Sequence, residues 1–197
     1  LLMFGIGVIL LIFEIYKIAF KSCLCNNGKM DWEIIPFQMC SMPIYVCLMI
    51  PFVSEETVHY LYCFLETYCL LAGIFALIFA SSLLNEYLYM MIHSFNWHIL
   101  MVFLGFYVIF SGKGAHEIKD FQTCTVIFLC LNVLAFIINL ILYKPSKGKT
   151  NMFFIGPVRS KIFGFSLIAE KYGMPLCSAL YVSVQIAAAF ILYLLVR

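Results

Sequence analysis

Long apolar segments separated by short polar ones organise the whole chain. Segments of roughly 17 to 25 residues, enough to cross a bilayer as helices, lie near 1–20, 34–53, 58–82, 87–111, 121–143 and 174–196. This pattern predicts an all-α fold, a polytopic bundle of six transmembrane helices forming a single domain over residues 1–197. Because the sequence begins with Leu1 and not methionine, we expect further residues upstream, including up to one more helix.

Composition supports a membrane location. Hydrophobic residues make up 64% of the chain and charged residues 11%, against about 25% charged in soluble domains. The first apolar segment has no basic residues before it and contains Glu14 and Lys17, so we interpret it as a true span and not as a signal peptide. The sequence therefore predicts an integral membrane protein.

The distribution of basic residues predicts the orientation. The loops after the first, third and fifth predicted helices carry Lys21, Lys29, Lys144, Lys147, Lys149, Arg159, Lys161 and Lys171. The opposite side has only Lys113, Lys119 and Arg197. By the positive-inside rule, basic loops 1 and 5 lie in the cytoplasm, most simply at the plasma membrane. This bias is explained by topology and by anionic lipid, so membrane lipids are the expected partners and a nucleic-acid partner is not needed.

Two carboxylates fall inside predicted spans. Burying a charged carboxylate in a membrane is costly unless it is paired or faces a wet cavity. Glu14 has Lys17 three residues on, on the same helix face, so it forms either an ion pair with that lysine or part of a functional site. Glu66 has no such neighbour and lies too deep to reach the surface easily, which leaves pairing or function open for it as well.

The stretch from Pro36 to Pro43 places a thiol, Cys40, just inside the second predicted helix. Gln38 precedes it by two residues and Ser41 follows it. Two prolines and this polarity are more than a lipid-facing helix needs, and such features usually line a cavity. A thiol becomes a nucleophile when a base or a positive charge favours its thiolate. Cys40 is therefore a candidate nucleophile, although a packing role remains the simpler alternative.

The histidines inside an apolar segment are His93 and His98, both on the fourth predicted helix. A rise of about 1.5 Å per residue puts Cys40 and His93 each about 9 Å into the bilayer and His98 about 16 Å. The two histidines are about 140° apart around the helix, so they cannot both face one partner. Depth favours His93 as the base for Cys40, with Glu14, Glu66 or Asn96 as a group that orients the imidazole.

Other polar features carry weaker signals. Asn139 and Asn132 lie seven residues apart on one face of the fifth predicted helix, which favours hydrogen bonding between helices. The segment from Asn151 to Pro157 is too apolar for a free loop and is expected to enter the interface or pack on the bundle. The nine cysteines include no CxxC pair, so neither a metal site nor a cofactor is expected.

The order of several short motifs adds a resemblance. They are Pro36-Phe-Gln-Met-Cys40-Ser, His98 twelve residues before Phe110, Asn139, Thr150-Asn-Met-Phe-Phe154 and Tyr172-Gly-Met-Pro175. In this order, from the second helix onward, the chain resembles the YwaF-like bacterial integral membrane proteins. Those proteins are distantly similar to a eukaryotic transmembrane cysteine acyltransferase that remodels glycerophospholipids.

The resemblance implies that Cys40 is the nucleophile and His98 the base, where depth favours His93. It also departs from the family pattern, since Gln38 stands where the family commonly has histidine and the Asn151 motif lacks the usual tyrosine. The implied function is an acyltransferase or lipid hydrolase acting on glycerophospholipid acyl chains. The alternative is a non-enzymatic membrane binding or transport protein whose polar residues line a pathway, and a structural scaffold is a third interpretation.

Overall fold

The computed structural model describes residues 2–115, 117–158, 162 and 164–197, and for Ser82 the backbone only. Leu1 and the basic residues Arg159 and Lys161 lie outside the described residues. In the described part the helices are α1 (Leu2–Cys25), α2 (Met39–Phe52), α3 (Glu55–Ile78), α4 (Leu88–Phe110), α5 (Ile118–Leu142), α6 (Phe165–Tyr172) and α7 (Met174–Val196). Helix is the dominant structure and the described residues contain no strand, which confirms the prediction of an all-α, polytopic bundle.

Five of these helices, α1, α3, α4, α5 and α7, are long and apolar enough to cross a membrane. The second predicted span is the exception. Helix α2 is about 21 Å long at about 1.5 Å per residue, whereas the hydrocarbon core is about 30 Å thick. Proline explains the difference. Pro36 disfavours helix in the residue before it. Pro43 is tolerated only in the first turn of a helix, which here is the regular α-helical part of α2, Met42–Met49.

Helix α3 lies at the centre of the bundle. Of its apolar window 56% is buried, against 11% for α7, and its neighbours include α2, α4, α5 and α7. Gly105 of α4 permits a close approach to α3, since a Cβ at that position would lie 2.6 Å from Cβ of Leu70. A small residue at a helix crossing brings two backbones together where the membrane supplies no hydrophobic force between them.

Residues 150–156, between α5 and α6, pack back onto the bundle. Met152 and Phe153 are almost completely buried within a short 3₁₀ turn, Met152–Phe154. Phe153 and Phe154 adopt φ angles of 54° and 58°, a left-handed conformation that bulky side chains rarely take. Such a conformation persists only where surrounding contacts hold it. One of these contacts is the hydrogen bond from the N–H of Phe153 to the side chain of Gln38, which belongs to the candidate site.

Candidate functional site

A cavity of about 200 Å³ lies where α1 ends and α2 and α4 begin. Its polar lining includes Cys40, Gln38 and Ser41 from the start of α2, together with Lys17 of α1 and Ser94 of α4. Lys21, Glu33 and Asn85 also line it, and apolar side chains complete the wall. The polar segment that the sequence singled out therefore lines a cavity.

Cys40 lies on a single 3₁₀ turn, Met39–Ser41, directly before the regular part of α2. Its side chain is half-buried. Its backbone carbonyl accepts a hydrogen bond of 2.8 Å from the indole Nε1 of Trp97, which is 3% exposed. A buried indole N–H needs such a partner, so this bond fixes the start of α2 against α4.

Backbone carbonyls hold both histidines of α4. Nε2 of His93 lies 3.2 Å from the carbonyl oxygen of Phe13, and Nδ1 of His98 lies 2.7 Å from that of Ser94. Because a carbonyl oxygen can only accept, each of these nitrogens carries the proton. In a neutral ring the other nitrogen, Nδ1 of His93 or Nε2 of His98, is then free to accept a proton.

The histidines lie near the cavity without a direct bond to the thiol. Within the described part of the chain, neither imidazole forms a hydrogen bond to Sγ of Cys40. The ring of His93 stacks on Trp97 with centroids 5.4 Å apart, and Trp97 holds the Cys40 carbonyl. His98 is tied to Ser94, which lines the same cavity as Cys40. The structure thus links His93 to Cys40 through Trp97, whereas His98 is bonded to a residue that shares the cavity with Cys40.

The three groups predicted to orient an imidazole have other partners or positions. Glu14 is 2% exposed and forms an ion pair with Lys17, which is one of the two roles expected for it. The carboxylate of Glu66 accepts a hydrogen bond from the backbone N–H of Ala115. Asn96 is exposed on the outer face of α4. The imidazoles are therefore held by main-chain carbonyls, where the sequence predicted a side chain.

Three side-chain amides hold the buried segment that follows α5. Asn139 bonds both the N–H and the carbonyl of Met152, at 2.6 and 2.9 Å. Gln38 accepts from the N–H of Phe153 at 2.9 Å and donates to the carbonyl of Asn151 at 3.0 Å. The side chain of Asn151 closes its own loop through Gly156 and Val158. We call this set of bonds the amide clamp.

The amide clamp explains the polarity around Cys40 and corrects one prediction. Asn139 was expected to bond another helix, but it binds loop backbone instead, because the left-handed turn at Phe153 leaves main-chain groups that helix geometry cannot satisfy. Gln38 acts in the same way, two residues before the thiol. Sequence reasoning missed Trp97, which holds the Cys40 carbonyl, and Lys21, which lines the cavity. A tryptophan inside a polar helix segment and a lysine four residues after Lys17 were both visible signals.

Among the described residues, no three His, Cys, Asp or Glu side chains are placed to hold an ion. The closest thiols are Cys63 and Cys124, whose sulfurs lie 3.2 Å apart between α3 and α5. Both are completely buried, and this contact packs the two helices.

Five long apolar helices, a short proline-broken helix and a thiol-lined cavity define the chain as a polytopic helical membrane protein. The profile of the TMEM164 family matches residues 1–196, so the chain belongs to the TMEM164 family. The likeness to YwaF-like bacterial proteins, and the acyltransferase activity that it implies, stay predictions. No curated protein and no solved structure matches the chain.

Proposed function

We propose that the protein is an intramembrane enzyme that transfers or hydrolyses acyl chains of glycerophospholipids through a thioester on Cys40. The observation that carries this proposal is the position of Cys40 on a cavity beside an α4 segment with two tautomerically fixed histidines. The cysteine acyltransferase-like character of the family points the same way.

In the first step, Sγ of Cys40 attacks the carbonyl carbon of an acyl ester, and the thiol proton passes to a histidine. The bond between that carbon and the glycerol oxygen breaks, and the histidine returns the proton to this oxygen. The products are a lysophospholipid and S-acylated Cys40. An acceptor alcohol or water then attacks the thioester and releases the thiol, so the cycle balances for transferase and hydrolase alike.

His98 is the base that we favour, with His93 as the alternative. The bond to Ser94 leaves Nε2 of His98 unprotonated, and Ser94 itself lines the cavity. Neither imidazole forms a hydrogen bond to the Cys40 thiol in the described structure. A side-chain rotation or a shift of α4 therefore has to bring the imidazole and the thiol together when substrate binds, as is common for unliganded sites.

A transport pathway is the alternative function, and it requires polar groups that connect both ends of the bundle. Glu14 and Lys17 lie beside the cavity at one end. Glu66 is instead bound by Ala115 of the loop before α5, at the other end of α4. Because these polar groups lie towards opposite ends of the bundle, they favour a site that opens at one end over a continuous pathway.

Labelling of the purified protein with a long-chain acyl chloroacetamide tests the proposed nucleophile. A background with Cys23, Cys25 and Cys130 changed to serine removes the three thiols that are exposed. In that background Cys40→Ala is expected to reduce labelling at least about tenfold, since an activated thiol dominates reaction with such an electrophile. Cys47→Ala is the matched control, because Cys47 lies on the same helix but is completely buried. Equal labelling of Cys40→Ala and its background would falsify the proposed nucleophile.

The proposed orientation places loops 1 and 5 in the cytoplasm, and the exposed thiols of Cys23 and Cys25 test it. A membrane-impermeant maleimide is expected to leave both unlabelled in intact cells and to label them after permeabilisation. Lys113→Cys, made in the Cys23→Ser, Cys25→Ser background, is the control at the opposite end of the bundle and is expected to react in intact cells. Labelling of the native thiols in intact cells reverses the orientation.

A further inference from the structure

We propose that Lys21 binds the phosphate group of the glycerophospholipid whose acyl ester reaches Cys40. The proposal rests on the proposed function and adds a subsite to it. Lys21 lines the same cavity as Cys40 and stands four residues after Lys17, on the same face of α1. The cavity thus combines a thiol for the acyl ester with a cation for the adjoining headgroup.

The balance of charges around the cavity leaves Lys21 without a counter-ion. Lys17 is ion-paired with Glu14. Glu33, which also lines the cavity, lies 4.0 Å from Lys149. No ion pair of Lys21 with a carboxylate occurs among the residues that the structure describes. Lys21 is half-buried. Desolvating a charge that has no partner is costly, and an anionic ligand offsets that cost.

Local geometry restricts where this anion can lie. Lys21 opens the π-helical turn that ends α1, Lys21–Cys25, and such turns occur frequently at functional sites. It also borders a second cavity of about 370 Å³. Two carboxylates, Asp31 and Glu86, line that second cavity, whereas the cavity of Cys40 is lined by Glu33, which lies 4.0 Å from Lys149. Repulsion of an anion is therefore weaker on the side of Cys40, and phosphate is favoured there.

Phosphate is the anion that fits this place best. Lys21 lies at the end of a transmembrane helix, where the headgroups of the bilayer begin, and lysine binds phosphate as a point charge. In a glycerophospholipid the phosphate and the acyl esters are joined through one glycerol unit. A lipid anchored at Lys21 therefore brings its acyl ester into the neighbourhood of Cys40.

Native mass spectrometry of the detergent-purified Cys40→Ser protein tests the subsite without requiring catalysis. The probes are dioleoyl phosphatidic acid and dioleoylglycerol, which differ in the phosphate alone. We expect the phosphate-bearing lipid to be retained about tenfold more strongly, and Lys21→Gln to remove most of that difference. Lys21→Arg keeps the charge and is expected to restore binding. Lys29→Gln is the matched control, since Lys29 is exposed in the following loop and lines neither cavity.

Equal retention of the two lipids, or unchanged binding by Lys21→Gln, overturns the proposal. Displacement of phosphatidic acid by millimolar inorganic phosphate assigns the subsite to a soluble phosphate and also overturns it. A thermal unfolding curve for each variant separates lost binding from lost folding. Because binding is measured in the Cys40→Ser protein, its outcome is independent of acyl-chloroacetamide labelling, so the failure of one proposal is distinguishable from the failure of the other.

Discussion

Replacing Asn139 by leucine is expected to lower the free energy of unfolding by about 1 to 3 kcal/mol, since it leaves the buried N–H of Met152 without a partner. The carbonyl of Met152 keeps only the 3.4 Å hydrogen bond that it accepts from the N–H of Ile155. Asn139 is completely buried and bonds both the N–H and the carbonyl of Met152. Leucine has nearly the same shape but cannot donate or accept. The left-handed turn at Phe153 and Phe154 then loses contacts that hold it.

Thermal and denaturant unfolding in detergent measure this loss. Asn132→Leu is the matched control, because Asn132 lies two helical turns earlier on the same face of α5. Its amide donates only to the carbonyl of Phe128 in its own helix, and its oxygen has no partner in the described structure. That variant is expected to change stability by less than about 1 kcal/mol. Similar losses in the two variants would show that Asn139 does not act through the amide clamp.

Through the amide clamp, Asn139→Leu is also expected to loosen the turn that carries Cys40. Gln38 binds the main chain of Phe153 and Asn151 and stands two residues before Cys40. The turn that carries the thiol is thereby held from one side by the clamp and from the other by Trp97. Loosening either contact frees the start of α2, where proline already prevents a regular helix.

Hydropathy predicted the five long helices because length and apolar content alone decide whether a segment can cross a bilayer. The predicted span at 174–196 coincides with α7, Met174–Val196. The second predicted span differs because an average over 20 residues conceals what Pro36 and Pro43 do locally. The prolines were visible in the sequence, but the length of helix that they leave depends on how the bundle packs around them.

The location of the site could be predicted from the sequence, but the hydrogen-bond partners of its residues could not. Polarity near Cys40 and on α4 indicated a cavity, since polar groups in a membrane need wet or polar surroundings. Which group each one meets depends on helix rotation and on loop paths that periodicity does not encode. Glu66 illustrates this limit, because its partner is a backbone N–H of Ala115, and no side-chain pattern could indicate a main-chain donor.

Gly114→Ala is the second variant with a large expected effect. A Cβ at Gly114 would overlap the carboxylate of Glu66, which is 2% exposed and accepts the N–H of Ala115. The added methyl group has to displace that carboxylate and break its hydrogen bond. Overpacking and an unsatisfied buried group together predict a loss of about 2 to 5 kcal/mol in unfolding free energy.

A double-mutant cycle with Glu66→Ala isolates this cause. Removing the carboxylate creates the space that the new methyl group needs, so Gly114→Ala in the Glu66→Ala background is expected to cost less than about 1 kcal/mol. Gly5→Ala is the neutral control, since a Cβ there meets no atom within 4 Å. If Gly114→Ala costs the same in both backgrounds, the strain lies in the backbone of the loop before α5. A large coupling energy instead establishes Glu66 as the residue that fastens this loop into the bundle, separate from the site of Cys40.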